Sequence, residues 1–448
     1  MITASSARWR FVLINGLTWL PRGIGFAVFV LLMQARGIDL AGVGLLLAVY
    51  GVTVAALELP TGGFADVMGR RAVLAVAAGF GIAASLGLAF ATSFWQWVAV
   101  VVLLGINRAL SSGPDEAWYV DTVHAIGDSG DELRRGLSQG RAGGLVGLMI
   151  GTLIGGTVPL VVPLPDTGLL VPLAVPMLLS AVAGGGLLAM VLFGMPEPSR
   201  AAHPRMGDVL RDVPATIRRG VGLGFRDGVL TRLLLTAGSL GVALNSIEML
   251  TPGRLAQLTG DSTTAATAYA VVTGIGFGAT ALGSLLSPIV ARWVGGATKA
   301  ATSAQTATVG AVVSAACLAG LAASTMLSGW VGIAATAAGY AGMGAGLGMT
   351  NPVRSELLHL RVASTERATL LSVDSLLLQA GGLVSALGLG AVAELWSVGA
   401  AWTISASLLL ASGGLFASRA VRQSADHPVS PGVEVHPAGT EEADKAHA

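Results

Sequence analysis

The chain has 448 residues, of which 53% are hydrophobic and 11% charged, with a formal net charge of +1 and a mean hydropathy of +0.73. A water-soluble domain carries about twice that share of charge, so the composition excludes a large soluble core and assigns the chain to the membrane.

A helix needs ~20 mostly apolar residues to cross ~30 Å of hydrocarbon. Runs of that kind recur at 11–33, 41–62, 72–93, 96–118, 141–163, 170–194, 229–252, 267–292, 302–324, 328–350, 367–393 and 396–419, which makes twelve predicted spans. The first is read as a retained span, because no cleavage site follows a short apolar core. The 63 glycines would weaken helices in water, but in lipid small residues let helices approach closely. The single cysteine, Cys317, lies in the ninth span, so no disulfide forms within one chain.

Charge is distributed unevenly along this map. One side collects Arg8, Arg10, Arg70, Arg71, Arg134, Arg135, Arg141, the arginines between 200 and 232, Arg292, Lys299, Arg354, Arg361, Arg367, Arg419, Arg422 and Lys445. The other side holds Arg36 and Arg254, while Arg22 and Arg108 remain inside spans. Positive residues favour the cytoplasm, so both termini are expected there. Lysine is nearly absent, a bias of GC-rich genomes, and the expected location is a bacterial inner membrane.

The longest polar interruption, near 196–228, alternates Arg211, Asp212, Arg218 and Arg219 with Val209, Leu210, Val213 and Ile217, which suits an amphipathic helix on the inner face. The expected organisation is a six-span half over 1–195, this central loop over 196–228, a second six-span half over 229–422 and a disordered tail over 423–448. The halves are weakly alike. "TGGFADVMGR" from Thr61 aligns with "SPIVARWVGG" from Ser287, pairing Gly69 with Gly295, and Pro114 aligns with Pro352. Duplication of a helical unit is a transporter signature, with the site between the repeats.

Several residues within the spans carry chemistry. Asn15, Trp19, Arg22, Phe26 and Phe29 recur at helical spacing and form one stripe, suited either to gripping an organic substrate or to packing on a helix that supplies a carboxylate. Arg108 is costly at bilayer depth and needs a watery cavity or a partner, for which Asp115 is the candidate. Gly238, Gly241, Asn245, Glu248 and Pro252 share a face of the seventh span. Glu248 is the candidate proton carrier, its rival role being an ordinary helix-end charge at the outer surface. Asp374 and Glu58 are alternatives nearer the cytoplasmic ends. All six histidines lie in inner loops or the tail, so no metal site or cofactor is expected.

The stretch between spans two and three, Gly62-x-x-x-Asp66-x-x-Gly69-Arg70-Arg71, resembles the signature loop of the major facilitator superfamily, and the resemblance extends over the whole chain except the tail. It departs at Val67, where the family carries Arg or Lys. It implies an all-α membrane fold of twelve transmembrane helices in two pseudo-symmetric six-helix halves. It also implies a gating latch, in which Asp66, in a Gly-flanked turn, meets the start of span eleven near Ser364–Arg367. Gly147-x-x-x-Gly151-Thr152-x-x-Gly155-Gly156 is similar to the glycine motif of the drug/proton antiporters, with Thr152 where they have proline, and equally suits plain close packing. Arg108, in "NRALSSG", sits where the family has an intramembrane arginine.

The expected function is secondary transport by alternating access: proton-coupled efflux of a small organic compound, as in the drug/proton antiporters. The alternative is proton-coupled uptake of an organic anion, which Arg22 and Arg108 would bind. A membrane-embedded enzyme is the third reading, against which the histidine distribution argues. No Gly-x-x-x-x-Gly-Lys loop supports ATP drive. The expected partners are the lipid bilayer, a small organic substrate and protons, with no nucleic acid, and the chain is read as a monomer.

Overall fold

The structure, a computed structural model, describes residues 3–127, 130–162, 164–165, 167–197, 222, 227–296, 298–359, 361, 367–418 and 421. The amphipathic helix expected in the central loop, the tail and the Ser364–Glu366 helix start lie outside these residues, apart from the loop's edges.

The chain forms α1 (Ala4–Phe26), α2 (Phe29–Ala35), α3 (Leu40–Met68), α4 (Arg70–Phe90), α5 (Phe94–Leu110), α6 (Pro114–Ile126), α7 (Asp131–Val161) and α8 (Val175–Gly194). It continues as α9 (Gly228–Thr259), α10 (Ser262–Val294), α11 (Lys299–Ala323), α12 (Gly329–His359), α13 (Arg367–Val384), α14 (Gly390–Leu395) and α15 (Val398–Ala417). A π-helical turn over Ser385–Leu389 joins α13 to α14. Polar side chains set several helix starts. Asp39, Asp261, Thr298 and Ser397 accept from the amides of Gly42, Thr264, Ala301 and Ala400, and Ser93 with Gln96 makes a capping box.

These helices make twelve membrane-length rods, with α1–α2, α5–α6 and α13–α14 each counting as one. Among the described residues, eleven segments are long and apolar enough to cross a membrane. The twelfth rod, α12, is 31 residues long but rich in glycine, which adds little hydropathy. Its glycines serve contact instead. A Cβ at Gly348 would lie 1.9 Å from the Thr280 carbonyl of α10, and one at Gly346 would lie 2.3 Å from the Ser314 hydroxyl of α11.

The two halves repeat one packing scheme. In the first, α1 packs on α7 and α8, α3 on α5, and α4 on α5 and α8. In the second, α9 packs on α13 and α15, α10 on α12, and α11 on α12 and α15. The halves meet through α3 against α13 and α14, and through α7 against α10, two contacts related by the same pseudo-symmetry. Gly69 and Gly295, paired by sequence, close the equivalent helices α3 and α10 with φ of 95° and 56°, a region that favours glycine. Pro114 and Pro352 differ in structure: Pro114 opens α6 after a break at Ser111–Gly113, whereas Pro352 lies inside the continuous α12.

Buried side chains reveal an asymmetry between the two ends. At the end bearing the termini, each half keeps a core of its own: Phe11, Leu74, Trp118 and Val191 in the first, and Leu230, Ala304, Leu357 and Phe416 in the second. At the opposite end one cluster runs through both halves, joining Leu31, Leu46 and Trp97 to Leu250, Ala266 and Trp402. One shared core thus joins the halves at one end, whereas at the other each keeps its own core and α3 still touches α13 through Glu58 and Ser375.

Candidate functional site: a cavity between the halves

A cavity of about 390 Å³ lies where the halves part. Its walls come mostly from the first half: Trp19, Arg22 and Phe26 on α1, Tyr50 on α3, Gly81 and Ser85 on α4, Asn107 and Arg108 on α5, and Met177 and Ser180 on α8. The second half adds Asn245 and Glu248 from α9 and Tyr269 and Phe277 from α10. An apolar lining on which a few polar groups converge is the pattern of a small-molecule site.

Pro21 and Ser111 help to place the cations. Pro21 lies inside the continuous α1, and Ser180 of α8 donates to its carbonyl at 2.9 Å. The break after α5 frees Ser111, whose hydroxyl accepts from Arg22 Nη2. The Arg22 guanidinium carbon lies 5.0 Å from the Trp19 ring centre and that of Arg108 lies 5.8 Å from the same ring. Among the described residues, no carboxylate lies within ion-pair distance of either arginine. A charge at bilayer depth costs at least ~2.5–3.5 kcal/mol on insertion scales. A cation over an indole returns ~0.5–1 kcal/mol, or ~2 when desolvated. One indole shared by two cations therefore offsets only part of their cost, and the remainder falls to whatever fills the cavity.

Glu248 stands on the facing wall. Eleven residues separate it from the end of α9, about 16 Å along the axis. Its side chain is exposed, but to the cavity, which replaces the reading of a helix-end charge at the outer surface. The Tyr269 hydroxyl lies 3.5 Å from the Glu248 carbonyl, and the Tyr269 ring stacks on Phe26 across the halves at 5.8 Å. Asn245 lines the cavity one turn earlier, and its Oδ1 is buried with no hydrogen-bond partner among the described residues.

The other predicted residues fall elsewhere. Asn15 does not line the cavity. It turns to α6 and donates to Asp115 Oδ2 at 2.8 Å, and so takes the partner that sequence spacing offered to Arg108. The reason is the break at Ser111–Gly113, which ends the common face of Arg108 and Asp115. Asp374 is tied to Arg354 by two hydrogen bonds, and Arg354 also donates to Thr236 Oγ1 at 2.8 Å. Glu58 reaches across the halves to Ser375, 3.3 Å away. Arg254, expected in an outer loop, is buried within α9 and donates to the carbonyls of Ser324, Thr325 and Leu327.

The glycine stripe of α7 is a packing surface. Cβ atoms at Gly147, Gly151 and Gly155 would lie 2.3, 2.3 and 2.0 Å from the carbonyls of Gly16, Leu20 and Ile24 on α1. Gly156 faces the second half instead, where a Cβ would meet Ala270 at 2.3 Å. Thr152 satisfies its hydroxyl on the Leu148 carbonyl at 2.8 Å.

The sequence profile of the Major Facilitator Superfamily matches residues 11–334, well over half of the chain. The chain belongs to the major facilitator superfamily. Its fold is similar to that of a solved nucleoside transporter, NupG, at 14% identity, with a TM-score of 0.72, covering 92% of this chain and 98% of that one. It is also similar to a bacterial homolog of the human lysosomal transporter Spinster in an inward-facing, unoccupied conformation, at 14% identity, with a TM-score of 0.67, covering 92% and 95%. At such identities the likeness shows the fold alone. No curated protein sequence matches the chain.

In this superfamily member the signature loop is built differently from the expected turn. The α3 backbone stays helical through Asp66 to Met68, and Gly69 alone turns the chain. The glycines at 62 and 63 are accommodated in the helix, where no positive φ is needed. Arg70 pairs with Asp121 at 2.9 Å, and the Arg71 amide donates to Glu197 Oε1 at 3.0 Å. Arg70 thus ties α4 to α6, and Arg71, whose guanidinium also donates to the Leu192 carbonyl, ties it to the end of α8. Glu197 was invisible to motif reasoning because it follows α8, far along the chain. Tyr50, Asn107, Ser111 and Tyr269 also escaped it, although polar and aromatic residues within apolar spans were the available signal.

Proposed function

We propose that the chain is a secondary active transporter that moves a small organic solute across the bilayer by alternating access, coupled to protons at Glu248. The observation that carries this reading is the cavity between two halves that share one core at one end and keep separate cores at the other. A carrier must open its central site to one side at a time, and rocking two rigid halves does so. With the termini cytoplasmic, the orientation that the arginine distribution favours, this state is inward-open. Glu248 is the one carboxylate among the described residues lining the cavity, so its protonation changes the cavity charge by one. A proton gradient supplies enough energy, ~2.3 kcal/mol per charge per 100 mV and ~1.4 kcal/mol per pH unit.

Gly62, Asp66, Gly69, Arg70 and Arg71 are assigned to gating. Trp19, Arg22, Phe26, Arg108 and Asn245 are assigned to solute binding. Export of a drug-like compound rests on the glycine motif, which the packing of α7 on α1 also explains. Uptake of an organic anion gains from the two arginines of the cavity.

Full-length protein in liposomes loaded with the pH dye pyranine tests this reading. Addition of a compound panel should give solute-dependent proton movement that Glu248→Gln abolishes. Absence of any solute flux in the wild type, by pyranine or by radiolabel, overturns it.

A further inference from the structure

Arg22 and Arg108 are the least compensated charges of the cavity. Arg22 uses one of its five N–H donors on Ser111. The Arg108 guanidinium makes no hydrogen bond to a described residue, yet both flank one face-rich indole, Trp19. Among the described residues, the charged side chains lining the cavity are these two cations and Glu248, so the cavity keeps a positive excess whether Glu248 is ionised or neutral. Guanidinium forks pair in bidentate fashion with two oxygens of a planar carboxylate or of a tetrahedral oxyanion, and two of them beside one wall form a site for a carboxylate, phosphonate or sulfonate. The surrounding walls are of another kind. Phe26, Phe29, Leu47, Leu104 and Met177 line the same cavity, and its volume of about 390 Å³ exceeds the needs of a bare inorganic ion.

We propose that the transported solute is an amphipathic organic anion, its charged group held between Arg22 and Arg108 beside Trp19 and its apolar, aromatic body laid along Phe26, Phe29 and Met177. This rests on the transport reading of the same cavity and names the substrate class. A cationic solute would gain from Glu248 but would face two unscreened guanidiniums. A neutral solute would leave both unpaired.

The test compares three near-isosteres on purified full-length protein: indole-3-acetate, indole-3-acetamide and tryptamine, which are anionic, neutral and cationic. Binding is read from the shift in thermal midpoint and by equilibrium dialysis, with naphthoate and phenylphosphonate extending the anionic set. The anions should bind at least tenfold more tightly than the amide, with tryptamine weakest. Arg108→Gln and Arg22→Gln should each erase the anion preference, and Arg108→Lys should restore part of it. The wild-type comparison stands by itself should a variant fail to fold. The proposal is overturned if the amide or amine binds as well as the anions, if no anion of the set outbinds its neutral counterpart, or if the folded arginine variants keep the preference. Proton flux driven by a neutral or cationic solute would overturn the substrate class while leaving transport intact, whereas absence of any flux removes the transport reading itself.

Discussion

Ser375 on α13 meets Glu58 on α3 across the boundary between the halves, its hydroxyl 3.3 Å from both carboxylate oxygens. The residue before it, Asp374, is committed to Arg354 inside the second half. One side of this helix therefore holds its own half together while the adjacent position touches the other half. A hydroxyl–carboxylate hydrogen bond is worth ~1.5–3 kcal/mol at most, weak enough to be broken in a transport cycle. Ser375→Ala should loosen the contact and leave folding unchanged. A cysteine at Gly81, placed in the cavity wall in a Cys317→Ala background, should then react faster with a soluble maleimide. An unchanged rate would assign the contact no part in closure.

Removing one partner of the buried Arg354–Asp374 pair should act on stability instead. Their side chains are 10% and 19% exposed. Asp374→Asn leaves a buried arginine uncompensated, a loss of about 3–5 kcal/mol, visible as a lowered thermal midpoint in detergent. A wild-type midpoint would show that Thr236 and the Leu233 carbonyl suffice for Arg354.

The glycine stripe predicts position-dependent tolerance. Gly151→Ala would press a methyl to 2.3 Å from the Leu20 carbonyl and should destabilise the protein by about 1–3 kcal/mol. Gly185→Ala and Gly186→Ala, with nothing within 4 Å, should be neutral. Thermal midpoints of the three variants check the contrast.

Gly69→Ala should weaken the turn into α4. Its φ of 95° with ψ of 144° lies in a region nearly confined to glycine, at a cost of roughly 1–3 kcal/mol for a Cβ, and that Cβ would lie 2.7 Å from Glu197 Oε2. Loss of the Glu197 cap should then raise cleavage by added protease near Gly69. Unaltered proteolysis would show that Glu197 yields without consequence.

The last prediction concerns pH. The titratable groups close enough to interact with Glu248 are the phenols of Tyr50, Tyr269 and Tyr340, whose reference value of ~10 lies far above the carboxylate range, and the always-charged Arg22 and Arg108 line the same cavity. An anionic solute is repelled by ionised Glu248 and not by its neutral form, so proton and anion favour one another's binding by linkage. Affinity for indole-3-acetate should rise as pH falls through the titration of Glu248, by about tenfold. Glu248→Gln should bind at the high-affinity level at every pH and lose proton-driven accumulation while keeping solute exchange. Affinity that falls on acidification would reverse the sign of coupling toward antiport.

Much of the architecture was legible because the bilayer imposes length and polarity on each segment separately. Twelve runs of apolar residues, the equivalence of Gly69 with Gly295 and the isolation of Glu248 in an apolar span all follow from local composition. Helical spacing placed Asn15 with Trp19 and Arg22 on one face, yet Asn15 turns to Asp115 while the other two reach the cavity. Periodicity names the face of a helix but not the neighbour it meets. The break at Ser111–Gly113 lies inside a run that reads as one helix, so of the two readings of Arg108 the pairing with Asp115 does not form and the place in the cavity does.

The sequence by itself determined that this is a chain of membrane-spanning helices in two related halves, because hydrocarbon admits few alternatives to helices with satisfied backbones. Only the tertiary structure decided which charges are spent within a half and which face the cavity. Arg354 and Asp374 are 20 residues apart, and Arg22 and Ser111 are 89 apart. Pairings of that kind are made by helix packing, close enough at some glycines that an added Cβ would lie 1.9 Å from a neighbouring carbonyl, and packing is a property of surfaces that no single span contains.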